Sequence, residues 1–130
     1  MSVPRKILII EDDDVVRELM RMTLEQDGYE VTVAEDGVVG YDTAIFLRPD
    51  LIITDVFMPG ADGIHVMRRV RETPLLEDTL ILVTTAFGTG TATFSLQNGA
   101  DAYEPKPIDR QNLLATVKHL LAQRDTLQAA

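Results

Sequence analysis

At 130 residues, 45% hydrophobic and 25% charged, the chain has the size and composition of one globular domain, which excludes a disordered tail, a collagen-like repeat and a coiled coil. Twenty-one acids against twelve bases give a net charge of -9, so these residues repel a phosphate backbone and no direct nucleic-acid binding is expected. The chain has no cysteine, which removes disulfide scaffolds, thiol catalysis and Cys-ligated zinc or iron–sulfur sites.

Two kinds of segment alternate along the chain. Lys6–Ile10 is the first short apolar run, and four acids, Glu11 to Asp14, follow it at once. The run is too short for a signal peptide or for a membrane span of roughly 20 apolar residues, so a cytoplasmic protein with no membrane partner is expected. Val16, Leu19, Met20, Thr23 and Leu24 then repeat at helical spacing, and Gly28 punctuates their end. Glu30–Ala34 reads as a second strand. A second helix carries Gly40 and the apolar stretch Ala44–Leu47, whose continuity predicts deeper burial than a surface helix needs. Leu51–Thr54 has no polar alternation and reads as a strand covered on both faces. Ile64, Met67 and Val70 mark a third helix after Gly63, and Leu80–Thr84 a fourth strand.

The stretch Phe87–Asn98 predicts a short fourth helix with a weak start. A helical Gly costs about 1 kcal/mol and a Thr about half that relative to Ala, so Gly88, Gly90, Thr91 and Thr93 predict an open first turn. Ala92, Ser95 and Leu96 predict an inward stripe, and Gly99 ends the helix. Ala102–Tyr103 is a weaker fifth strand. Leu113, Leu114, Val117, Leu120 and Leu121 mark the last helix, and past about Gln123 the apolar periodicity stops, so residues 123–130 are expected to fray. Met20, Met22, Met58 and Met67 read as core or loop packing, and His65 and His119 as solvated. Strand–helix repetition forces parallel strands joined by right-handed crossovers. The expectation is a single doubly wound α/β domain, a five-stranded parallel sheet between two helical layers, with no repeat or linker.

In such a sheet, function collects beyond the carboxyl ends of the strands, where the strand order reverses. Glu11, Asp12, Asp13 and Asp14 follow the first strand, Asp55 the third, and Lys106 with Pro107 the fifth; Thr84 and Thr85 end the fourth. Asp13 and Asp14 also suit capping of the next helix. Crowded carboxylates must either take up a proton or share a cation. Hard oxygen ligands with open positions suit magnesium. A lysine and a hydroxyl beside them match the equatorial oxygens of a phosphoryl group. The residues therefore read as a magnesium-dependent phosphoryl site with a carboxylate nucleophile.

The motifs "ILIIEDD", "DLIITDVFMPGADG", "VTTA" and "YEPKP" stand in this order from about Arg5 to Ala122. Together they resemble the receiver domain of bacterial response regulators, the chemotaxis-regulator fold of two-component signalling. The resemblance implies one receiver domain over residues 1–130, with a core of about 5–122 and the flavodoxin-like strand order 2-1-3-4-5. It implies a phosphoacceptor that assists its own phosphorylation and dephosphorylation, and no enzyme in the ordinary sense. Asp55 would take the phosphoryl group from a histidine kinase or a histidine phosphotransfer protein. Asp12, Asp55 and the backbone carbonyl of Phe57 would hold magnesium, with manganese as a substitute and Glu11 acting through a water. Thr85 would be the switch hydroxyl, Tyr103 the switch aromatic and Lys106 the partner of the phosphoryl oxygens. The Lys106–Pro107 bond would be cis, otherwise a minority state. A downstream protein would read the face of the fourth helix, fifth strand and fifth helix. Phe57 and Phe87 stand where the family sets its dephosphorylation rate.

The chain departs from the family in places. The stretch from Ala86 to Gly99 is about one residue short and carries no charge, which sets it apart from receivers that dimerise there for DNA binding. Gly40 replaces a small helix-forming residue. Three other readings compete. A phosphatase with an aspartyl nucleophile wants an acid two residues on, where Phe57 stands. A flavodoxin-like cofactor binder wants Ser, Thr or Gly donors where Glu11–Asp14 stand. A phosphorylation-independent scaffold does not need the full set of acids with Thr85 and Lys106.

Overall fold

In the computed structural model, which describes residues 3–58, 62–86 and 89–129, the elements follow in strict alternation. They are β1 (Lys6–Ile10), α1 (Asp14–Gln26), β2 (Glu30–Ala34), α2 (Gly37–Leu47), β3 (Leu51–Asp55), α3 (Gly63–Glu72), β4 (Leu80–Thr85), α4 (Thr89–Gln97), β5 (Ala102–Pro105) and α5 (Arg110–Ala129). All strands pair in parallel in the order β2-β1-β3-β4-β5, as the sequence predicts. Asp55 and Thr85 are the last residues of their strands. A one-turn 3-10 helix at Pro74–Leu76, not foreseen from the sequence, seats the fully buried Leu76.

Strand alternation sorts the apolar residues into two cores. Ile7, Ile9, Leu51, Ile53 and Leu82 pack on one face of the sheet with Met20 and Leu24 of α1 and Leu113 and Val117 of α5. Leu8, Ile10, Ile52, Ile81 and Val83 pack on the other with Ala44 of α2 and Val66, Met67 and Val70 of α3. A strand covered on both faces has no side to leave polar, hence the unbroken apolar runs. Each fully buried Leu or Ile stabilises the fold by about 1.5–3 kcal/mol relative to exposure.

Three expectations about burial fail, each for a geometric reason. On α2 the inward line is Gly37, Gly40 and Ala44; Phe46 lies two residues past Ala44, about 200° round the helix, and is 90% exposed. On α1, Met22 stands in the same relation to Met20 and is exposed, while Leu19 is on the border of the buried face. On α4, Ala92 and Ser95 are buried, but Leu96 falls outside this narrow inward face and is exposed. Gly40 is explained by contact: an added Cβ would stand 2.5 Å from Ile10 Cδ1.

Helix α4 starts at Thr89 and includes Gly90 and Thr91, so its first turn is helical where propensity predicts it open. Packing of Ala92 and Ser95 overrides a weak local preference, and Ser95 Oγ donates to Thr91 O at 2.8 Å. Gly99, just beyond the helix, has φ of 114°, which an L side chain disfavours. Phe87 and Gly88 lie outside the described residues. Helix α5 continues to Ala129, past the expected end near Gln123. Polar ties replace the apolar pattern there: Arg124 donates from Nη2 to Asp50 Oδ1 and from Nη1 to Asp50 O, both at 2.9 Å, and Asp125 pairs with Arg5. Arg5 holds the Asp125 carboxyl below its ordinary pKa.

Candidate functional site

The strand order reverses between β1 and β3, and the acids of the site stand at the ends of those two strands. Glu11 follows Ile10 directly and is fully buried. Its Oε2 accepts from Asp13 N at 3.1 Å, and Arg17 Nη1 donates to its backbone oxygen at 2.9 Å. Asp55 is 8% exposed, and its Oδ1 accepts from Phe57 N at 3.3 Å. Lys106 comes off the end of β5 and reaches back across the sheet. Its Nζ stands 2.8 Å from Asp55 Oδ2 and 2.6 Å from Glu11 Oε1. The first contact is a well-directed hydrogen bond. The second is an ion pair set off the line of a hydrogen bond, so Glu11 Oε1 keeps acceptor capacity inside the site.

Asp12 is exposed at the rim, and one carboxylate oxygen each from Glu11, Asp12 and Asp55 lie within 4.8 Å of one another. Three carboxylates thus face one ammonium, which when all are ionised leaves two negative charges for a divalent cation to balance. The donor set is all oxygen, with a buried acceptor turned inward, and it fits magnesium. Burial drives the Glu11 carboxyl above its ordinary pKa, although Lys106 and the Asp13 N–H oppose the rise. Burial pulls Lys106 down, but the bonds to Asp55 and Glu11 outweigh it and raise its pKa. Lys106 therefore stays an ammonium at neutral pH.

The remaining residues named from the sequence take distinct places. Asp13 caps α1, its Oδ1 accepting from Val15 N at 2.9 Å and Val16 N at 3.1 Å. Asp14 pairs with Arg17 in the first turn. Thr85 is buried, and its backbone oxygen accepts from Lys106 N at 3.0 Å. Val83 pairs with Tyr103 and Thr85 with Pro105, so alternation puts Thr85 and half-buried Tyr103 on the same face of the sheet. Phe57 is half-exposed beside the cluster. The Lys106–Pro107 bond is cis. His65 and His119 are exposed. Phe87 lies outside the described residues.

Sequence reasoning used Gly63 only as punctuation and missed its part in the site. Its N–H donates to Val56 O at 2.8 Å, and an added Cβ would stand 2.1 Å from Asp55 O. The Asp62–Gly63 pair, a cap followed by a residue without a side chain, is the signal that marks such a close approach.

This geometry, at the switch point of a five-stranded parallel sheet, is that of a receiver. The chain belongs to the response regulator receiver domain family, whose model matches residues 7–118. It is 38% identical over 126 residues to the DNA-binding dual master transcriptional regulator RpaA of Synechocystis sp., covering 96% of this chain and 52% of RpaA. It is 42% identical over 120 residues to the response regulator MprA of Mycobacterium sp. (strain KMS), covering 92% of this chain and 51% of MprA. The chain spans about half the length of these curated relatives. A response regulator structure from Chloroflexus aurantiacus matches with a TM-score of 0.88 and 37% identity, over 92% of this chain and 99% of that one. The receiver domain of the sensor histidine kinase PA1611 from Pseudomonas aeruginosa, with a magnesium ion in its active site cleft, matches with a TM-score of 0.85 and 27% identity, over 92% of this chain and 99% of that one. Domains of this family are phosphoacceptors in two-component signalling rather than enzymes that turn over a substrate.

Proposed function

We propose that Asp55 is the phosphoacceptor and that it receives its phosphoryl group from a histidine kinase or a histidine phosphotransfer protein. A carboxylate oxygen of Asp55 attacks the phosphorus, the phosphorus–nitrogen bond to the donor imidazole breaks, and that nitrogen leaves with a proton. The observation that carries this reading is Lys106 Nζ, held at once by Asp55 and Glu11 inside a cluster of three acids. Asp12, Asp55 and the backbone carbonyl of Phe57 would hold magnesium, and Glu11 would reach it through a water. Bound there, the ion neutralises charge on the phosphoryl oxygens. Lys106 pairs with one of those oxygens, and its held ammonium needs no reorganisation to do so.

The new group adds roughly -1.5 to -2 charge and three acceptor oxygens. Thr85 turns its hydroxyl to one of them and frees space behind it, and Tyr103, on the same face, moves inward. This shifts a balance between two packings rather than creating a new one. A downstream protein would read the change on α4, β5 and α5. The charge argument against nucleic acid covers these 130 residues alone. Among the described residues no helix is long and apolar enough to cross a membrane, and we place the domain in the cytoplasm.

Acetyl phosphate with magnesium tests the reading. The expected product is an acid-stable, base-labile phosphoryl adduct seen by mass spectrometry, with EDTA reducing it to background. Labelling that ignores EDTA counts against the metal assignment.

The adduct should also persist. In the receiver family the positions of Phe57 and Phe87 flank the path of an attacking water, and a phenyl ring offers it no polar group. A variant carrying Phe57→Asn and Phe87→Glu should lose its phosphoryl group about tenfold faster, a change of about 1.4 kcal/mol in barrier. Measured decay at equal rates, or faster in the natural chain, would refute the assignment of these two rings.

A further inference from the structure

Between α3 and α4, beside the acid cluster but not part of it, lies a cavity of about 550 Å³. Cavities that hold small molecules run from about 300 to 1,000 Å³, walled mainly by apolar and aromatic groups with a few placed polar ones. The walls here have that make-up. Phe57 and Phe94, two of the four phenylalanines in the chain, line it together with Ile64. Both rings are about half exposed and belong to neither core of the sheet.

The polar groups of the cavity follow one helix. Asp62 caps α3, and His65 and Arg68 come after it at spacings of three, so all three share one face. Asp62 Oδ1 accepts from His65 N at 2.9 Å, which fixes that carboxylate at the start of the helix. Arg68 lies six residues on, about 9 Å along the axis. The cavity therefore has an acidic end and a basic end. The basic end is open to an anion. Arg5, Arg17, Arg21, Arg71 and Arg124 each pair with a carboxylate, and among the described residues Arg68 pairs with none. Its Nε and Nη2 donate to a neutral amide oxygen, Asn98 Oδ1, at 3.2 and 3.1 Å. A guanidinium carries five donors, and a carboxylate holds them more strongly than an amide does.

We propose that this cavity binds a small aromatic carboxylate, with its ring against Phe57 and Phe94 and its carboxylate on Arg68. The charges set the orientation, since a carboxylate turned the other way would meet Asp62. The rings supply apolar contact and the guanidinium supplies the anion recognition that a neutral aromatic compound would not use. The site stands whether or not Asp55 is the phosphoacceptor, because neither Arg68 nor Phe94 belongs to the acid cluster.

The test follows backbone amide shifts by nitrogen-15 NMR while phenylacetate is added at constant ionic strength. Amides of Ile64–Arg68 and Gly90–Phe94 should move together and saturate, with a Kd of about 1–10 mM, the strength of a fragment-sized ligand. Phenylacetamide has the ring without the charge, and acetate the charge without the ring. Each should bind about tenfold more weakly. Arg68→Gln should weaken phenylacetate binding about tenfold, and Phe94→Leu, which keeps the bulk but not the ring, about threefold. Arg68 also holds the end of α4 through Asn98, so Asn98→Ala separates the two roles. It frees the fork and should bind phenylacetate at least as tightly as the natural chain does. An Asn98→Ala chain that loses binding as Arg68→Gln does would assign the effect to the helix end and overturn the proposal. So would shifts that never saturate, equal affinity for the acid and its amide, or shifts centred on the other arginines.

Discussion

A chain carrying Asp55→Asn takes up no phosphoryl group from acetyl phosphate under conditions that label the natural chain. The amide oxygen that replaces the carboxylate has no comparable nucleophilicity, and no other acid of the cluster stands as Asp55 does. Glu11 is fully buried with one oxygen on the Asp13 N–H and the other beside Lys106. Asp12 is exposed at the rim. Neither has the place of Asp55, at the end of the central strand with Lys106 on one oxygen and Phe57 N on the other. The substitution keeps the shape and leaves Lys106 paired with Glu11, so the fold should survive with a stability change of about 1 kcal/mol or less. Mass spectrometry reads the labelling, and circular dichroism checks that the fold is intact. An asparagine chain labelled as fully as the natural one would move the acceptor elsewhere.

The fold was legible because two-sided burial writes itself plainly into short segments. "KILII" and "LIIT" carry no alternation since α1 and α5 cover one face and α2 and α3 the other. The site was legible for a related reason: polar residues that end an apolar strand in a parallel sheet collect at one edge. Helix faces were less legible. Ala44–Leu47 is apolar throughout, and only the angular place of Phe46, two residues past the inward Ala44, decides that it points outward. The C-terminal turns of α5 rest on Arg124 and Asp125 reaching Asp50 and Arg5, ties of long sequence separation that no local pattern announces. The start of α4 failed in the opposite direction, since propensity argued for an open turn and burial of two small residues closed it.

Gly63→Ala should be strongly damaging for a single added methyl. The added Cβ would stand 2.1 Å from Asp55 O, 2.9 Å from Val56 Cα and 3.0 Å from Asp55 C. All three are backbone atoms of, or next to, the central strand, so no side chain can rotate out of the way. Either α3 lifts off the sheet, losing the 2.8 Å bond from Gly63 N to Val56 O, or the end of β3 shifts and carries Asp55 with it. Overpacking in a well-filled interior costs about 1–3 kcal/mol, and loss of the hydrogen bond adds about 1 kcal/mol. The denaturant midpoint should fall accordingly, and labelling with acetyl phosphate should slow because Asp55 no longer meets Lys106 as it does here. Gly40→Ala provides the comparison. Its Cβ also meets close atoms, Ile10 Cδ1 at 2.5 Å, Cγ1 at 2.8 Å and Cγ2 at 3.0 Å, but all three belong to one side chain and none to the backbone. Alanine also gains about 1 kcal/mol of helix propensity there. The same measurement should therefore rank Gly63→Ala well below Gly40→Ala in stability. Equal midpoints for the two, or a Gly63→Ala chain that labels at the natural rate, would show that the strand end yields without disturbing the site.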